Sequence, residues 1–175
     1  QPDTTVPNTN GTTTGSQSGA FRDVPASHWA GTAIQEAVKA GIVNGYQDGT
    51  FKPAASVTSA HFNAMMARAF FSDDLKTAQT DSNWWTPNVL TNESHGILKG
   101  TKLEAQYQAS GAYGSQLNTA ISRYDMAQMM YNILKDRGVT MPSAAQKQQA
   151  QSAMKDWNSV PAGYREAVAV CYALG

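Results

Sequence analysis

The chain has 175 residues and balances 13 Lys+Arg against 13 Asp+Glu. That length suffices for one or two domains with a real core, and the absence of net charge removes the field that gathers nucleic acid or an anionic membrane surface. A lone cysteine, Cys171, excludes an internal disulfide and, between Val170 and Tyr172, reads as a buried thiol, while no apolar run reaches the roughly 18 residues of a membrane span.

Residues 1–20 are almost wholly Thr, Asn, Gly, Ser, Gln and Pro. Such a stretch cannot bury enough apolar area to offset its ordering entropy, so it is expected to be a flexible linker. It lacks the charged and apolar regions of a signal peptide, so any export signal is expected to have been removed. Asn10-Gly11-Thr12 and Asn92-Glu93-Ser94 fit the glycosylation triplet, a pattern short enough to arise by chance.

The first helix is expected from about His28 to Ala40, with Ser27 as its cap and Gly41 as the left-handed residue past its end. Trp29, Ala33, Ile34, Ala37 and Val38 then form one apolar stripe, and Phe21 and Val24 flank Asp23 on the approach. In the loop from Gly41 to Pro53, Gly41 and Gly45 read as left-handed or close-approach positions. Asp48-Gly49 is a tight-turn dipeptide between Tyr46 and Phe51, without the other acids of a calcium loop. A second helix is expected from a Thr58 cap to about Phe70, burying Phe62, Met65, Met66, Ala69 and Phe70.

The pattern then recurs. Trp84 precedes Gly96 by the same interval as Trp29 precedes Gly41, and Gly96-Ile97-Leu98-Lys99-Gly100 matches Gly41-Ile42-Val43-Asn44-Gly45. A longer polar loop, Thr101 to Thr119, leads to Ile121-Ser122-Arg123-Tyr124-Asp125-Met126, which matches Val57 to Phe62. Ser143 to Ser152 reads as helix or connector. Asp156-Trp157-Asn158 and Pro161 introduce a third first-helix, Tyr164 to Gly175. An internal repeat of about 55 to 64 residues means that one helix pair buries its face only against its neighbour. The expected organisation is a repeat over 21–75, a second over 76–138 with an enlarged loop, and a connector with the first half of a third over 139–175. The expected fold class is all-α, made of helix-loop-helix repeats.

Phe21-Arg22-Asp23-Val24, His28-Trp29-Ala30, Gly41 through Gly45, Asp48-Gly49-Thr50-Phe51-x-Pro53 and Val57-Thr58, in that order and spacing, resemble the S-layer homology repeat. The resemblance extends over residues 21–175, with the third repeat truncated. It implies a pseudo-threefold bundle of three repeats that anchors secreted proteins at the cell surface by holding secondary cell-wall polysaccharide, often a pyruvylated acidic glycan, in an inter-repeat groove. It also implies site residues: Arg123 at the family's arginine, Asp125 at its glutamate, Trp29 and Trp84 at the tryptophan of the helix start, and Asp23 in the Asp-Val approach. Copy one departs from the pattern, with Ser59 in place of the arginine and His61 in place of the glutamate.

The chemistry of these residue types agrees with an acidic sugar. An arginine fork meets a carboxylate in two parallel hydrogen bonds, and a flat indole covers the apolar face of a sugar ring. Each residue also has a structural reading. Trp29 and Trp84 are core anchors first, Asp23 and Asp156 are turn or cap acceptors, and Asp125 either caps its helix or orients the arginine. His28, His61 and His95 lack ligand spacing, so no metal and no cofactor is expected. Hydrolase, zinc-protease, phosphate-loop and dinucleotide motifs are all missing, and the chain is expected to be non-catalytic. Two other functions remain at this stage: an assembly scaffold whose glycan sites have decayed, completed by a protein segment against repeat three, and the tether of a secreted enzyme.

Overall fold

The computed structural model describes residues 21–75 and 83–175. The expected linker, the Asn10 triplet and the start of the second repeat at 76–82 lie outside them. The described residues fold into seven α-helices joined by turns and short 3-10 segments, with one isolated antiparallel bridge and no strand. The all-α expectation is borne out. Two compact units divide the chain: one runs through Ser56 and includes Asn63–Thr91, the other combines Val57–Phe62 with Asn92–Gly175.

In the first unit, α1 (Gly31–Lys39) is shorter than its expected span. Ser27 does not cap it; instead His28 Nδ1 accepts from the Ala30 amide at 3.2 Å, inside a run of turns. Trp29 therefore lies ahead of the helix and is 92% exposed, which overturns its reading as a core anchor. The helix ends as the sequence requires. Gly41 has φ 72°, its amide reaches Val38 O at 2.9 Å, and the Ile42 amide reaches Ala37 O at 2.9 Å, a Schellman closure. Gly45 is a close-approach glycine, since an added Cβ would collide with the Phe21 ring and stand 2.8 Å from Thr50 O. Tyr46–Thr50 closes a tight turn, with Gly49 at φ 78°.

Helix α2 (Ser59–Phe70) begins as expected, with Thr58 Oγ1 accepting from the His61 amide at 3.2 Å. Its buried residues include Phe62, Ala64 and Ala67. Ala69 is exposed, so the buried face is rotated from the predicted stripe. Helix α3 (Thr86–Ser94) ends like α1: Gly96 has φ 70°, its amide reaches Glu93 O, and the Ile97 amide reaches Asn92 O, both at 2.8 Å. Asn92 is fully buried, which removes its triplet as a glycosylation site.

The second unit departs most from expectation at the enlarged loop. Lys102–Ser110 is a helix, α4, capped by Thr101 Oγ1 on the Glu104 amide and closed by Gly111 at φ 72°. Glu104 returns a bond to the Gly100 amide at 2.7 Å, and Leu103 is buried, so a capping pair and one apolar anchor order a stretch that reads as polar loop. Helix α5 (Arg123–Asp136) carries Met129 and Ile133 into the core, and Asn132 Nδ2 donates to Ile97 O and Lys99 O, both at 2.8 Å, gripping the glycine loop. The Ser143–Gln146 capping box makes α6 (Ala144–Ala153) a helix rather than a connector. Helix α7 (Arg165–Leu174) packs on α5 and α6 through Ala167, Ala169 and Val170. Also in this unit, Val57–Ser59 runs antiparallel to Thr119–Ile121, with Ser59 N to Thr119 O at 2.9 Å and Ile121 N to Val57 O at 3.0 Å.

Candidate functional site

Within the second unit the first turn of α5 faces α7 and the approach to it across a groove of about 660 Å³. Helix α5 contributes Arg123, Tyr124 and Ala127, three residues at i, i+1 and i+4 that share one helix face. The opposite wall holds Met154, Asp156, Val160, Val168, Cys171 and Tyr172. Arg123 is exposed, and among the described residues no carboxylate lies within ion-pair distance of its guanidinium. The groove thus joins one available cation to a mostly apolar wall.

Asp125 lies beneath this rim and is buried. Its Oδ1 accepts from the Lys102 amide at 2.9 Å and from Tyr164 Oη at 2.8 Å, and its Oδ2 accepts from Ser122 Oγ at 2.7 Å. Ser122 Oγ in turn accepts from the Asp125 amide at 3.0 Å. Of its two expected roles, Asp125 takes the capping one and adds ties to α4 and to the start of α7. Two residues apart on a helix, its carboxylate and the Arg123 guanidinium project to different sides. Burial and then the Asp125 carboxylate push the Tyr164 phenol up to about 12. Tyr164 also tilts against Tyr124 at 5.7 Å between ring centroids.

The other predicted site residues are elsewhere. Asp23 Oδ1 and Oδ2 accept from the Phe51 and Lys52 amides at 2.8 and 2.7 Å. These bonds, the Phe51 amide foremost, hold its carboxyl below the ordinary value. Asp23 thereby fastens the Gly-Thr-Phe turn to the chain ahead of α1, and the Phe51 ring tilts on Phe21 at 5.2 Å. Trp29 stacks on His28, at 5.8 Å and 26°, and otherwise faces solvent. Trp84 is half-buried in the turn before α3. The Cys171 thiol is half-buried, donates to Ala127 O at 3.4 Å, and is raised by burial. Among the described residues no cluster of three His, Cys, Asp or Glu side chains could hold a metal ion.

Residues 20–62 match the S-layer homology domain model. The chain is 32% identical over 121 residues to an S-layer protein of Bacillus thuringiensis subsp. finitimus, covering 66% of this chain and 14% of that protein. Residues 20–62 form an S-layer homology domain. Another relative, S-layer protein sap of Bacillus anthracis, is 32% identical over 120 residues, again 66% of this chain and 14% of the relative. A cellulosome-anchoring protein of Acetivibrio thermocellus is 32% identical over 89 residues, 46% of this chain and 20% of the relative. The chain therefore spans about one seventh of the length of the S-layer proteins it matches. Among the described residues no helix is long and apolar enough to cross a membrane.

Set beside the S-layer homology pattern, Arg123 is the sequence-predicted residue that lines the groove. The opposite wall was missed. Its one sequence signal is the spacing of Val168, Cys171 and Tyr172 at i, i+3 and i+4, a face on α7 that a reading centred on the arginine passes over.

Proposed function

We propose that the chain is a non-catalytic anchoring module of the cell surface that holds an acidic cell-wall polysaccharide in the groove at Arg123. The observation that carries the reading is an exposed guanidinium, without an acidic partner among the described residues, on the rim of a groove with an apolar far wall. A sugar carboxylate would take two parallel hydrogen bonds from the fork while its ring lies along the apolar side. A pyruvyl substituent would supply such a carboxylate. Asp125 serves that site from below by fixing the first turn of α5, and the exposed Trp29 indole offers a separate surface for ring stacking. Asp23 and Trp84 belong to the scaffold that presents these groups. The surface-anchoring reading accords with the names of the S-layer and cellulosome-anchoring relatives.

Retention on purified cell-wall polysaccharide is the test. Loss of a charge-assisted bond is worth about 1.5–3 kcal/mol, so Arg123→Ala should weaken retention roughly tenfold or more. Equal retention of the variant and the parent chain would remove Arg123 from the site. A protein segment packed against the third repeat is a second proposed partner, and the Met154–Asp156 wall of the groove favours it.

A further inference from the structure

The enlarged loop of the second repeat carries two tyrosines outside the core. The Tyr107 and Tyr113 rings stack at 4.5 Å between centroids and 17°. Tyr107 is on α4, whose residues from Ala105 to Ser110 are all exposed and whose buried anchor is Leu103. Tyr107 is 36% exposed, so Tyr113 covers one side of its ring and leaves the other open to solvent. Elsewhere Lys52 Nζ stands over the Tyr46 ring at 4.0 Å and Lys135 Nζ over the Tyr131 ring at 4.3 Å, whereas among the described residues no cation covers Tyr107. The charges acting on this pair are carboxylates. Glu104 stands one turn before Tyr107 on the same face of α4. Its Oε2 accepts from the Gly100 amide at 2.7 Å, which leaves Oε1 without a hydrogen bond among the described residues. Burial, then the Glu93 carboxylate and more weakly that of Glu104, push the Tyr113 phenol up. Neither acid has an ion-pair partner among the described residues. All four side chains belong to the second unit, and none lines the groove at Arg123.

We propose that the open face of Tyr107, with Glu104 and Glu93 beside it, binds the ammonium group of an amino sugar, a second carbohydrate site carried by the enlarged loop. An aromatic face attracts a cation through its negative quadrupole, and a carboxylate one turn away supplies the counter-charge. A pyranose ring spans that separation: its apolar face lies on the phenol ring while an ammonium substituent at its edge reaches Glu104 Oε1. The same carboxylates repel an anionic sugar, so this site and the groove at Arg123 take ligands of opposite charge. The choice of a sugar to carry the ammonium rests on the polysaccharide reading above, whereas the preference for a cation does not.

Calorimetric titration of the full chain with a glucosamine trisaccharide at about pH 6, where carboxylates and amines are both charged, tests the site. Binding should be on the order of millimolar and weaken about fivefold or more in Tyr107→Ala, while Tyr107→Phe keeps it within about twofold. Should Tyr107→Ala unravel α4, Glu104→Gln retains an acceptor for the Gly100 amide and should still weaken binding about threefold. The N-acetylglucosamine trisaccharide, which has no ammonium, should bind about fivefold or more weakly than the glucosamine one. Absence of binding, equal binding of the two trisaccharides, or binding undiminished by both Tyr107→Ala and Glu104→Gln overturns the site. A lysine tripeptide that binds as tightly and is lost in Tyr107→Ala gives the site to a peptide and overturns the sugar. Arg123→Ala should leave this titration unchanged while losing polysaccharide retention, so the two proposals fail separately.

Discussion

Asp125 is placed where its loss should be felt more than that of any surface charge. Its two oxygens satisfy a main-chain amide and two hydroxyls from three parts of the second unit. Removing a buried acceptor strands those donors, so Asp125→Ala should cost about 2–4 kcal/mol in denaturant unfolding, while the exposed Arg123→Ala should stay within about 0.5 kcal/mol. Equal costs for the two variants would contradict the assigned roles. Tyr164 gives the same node a dependence on alkaline pH. Its folded pKa, about 12, lies above the ordinary 10.0, so the neutral phenol is the form that the fold favours. That contribution is complete below pH 10 and is lost as pH rises through 12. Tyr164→Phe should therefore lower stability at neutral pH and flatten the part of the decline between pH 10 and 12 that the parent chain shows.

At the scale of single elements, the helix ends were the most legible features. Gly41 and Gly96 adopt the left-handed conformation their positions demand, because a glycine after an apolar stripe leaves few alternatives. Gly45 is constrained differently, by the Phe21 ring and Thr50 O. Gly45→Ala should cost about 1–3 kcal/mol through overpacking, against about 1–2 kcal/mol for the purely conformational strain of Gly41→Ala. Thermal unfolding of the pair, with Gly45→Ala expected to show increased exposure of the Phe21 side, distinguishes crowding from backbone strain. Helix α4 was not read from the sequence although Thr101 and Glu104 spell a capping pair, because with Leu103 its only buried residue it has almost no apolar stripe to announce it. Trp29 was misplaced for a related reason: periodicity cannot tell a residue in the helix from one in the turn before it. The groove was half legible. Arg123 follows from its place in the repeat, whereas the Met154–Tyr172 wall exists only once α7 has packed on α5.

For the molecule as a whole, the repeat bounds expected from the sequence and the compact units do not coincide. Helices α2 and α3 each contribute residues to both units, and the second unit contains Val57–Phe62 from the first repeat. The charge is balanced over the whole chain, so local groups set the character of the groove, whose lining includes the Arg123 guanidinium and the Asp156 carboxylate. The glycine-closed helix ends at Gly41 and Gly96 are alike, whereas the side chains differ in what they touch: Asp23 accepts from the Phe51 and Lys52 amides and Asp156 lines the groove.

The antiparallel pairing of Val57–Ser59 with Thr119–Ile121 also sets an order of events during synthesis. Its two partners are separated by the whole of α2, α3 and α4, so the contact closes a long loop and bears the corresponding entropy before any neighbouring contact rewards it. On the ribosome, the chain ahead of α2 must wait for Ile121 to emerge before it can acquire its native neighbour. The start of α2 thus acquires its native neighbour only after α4 has been translated.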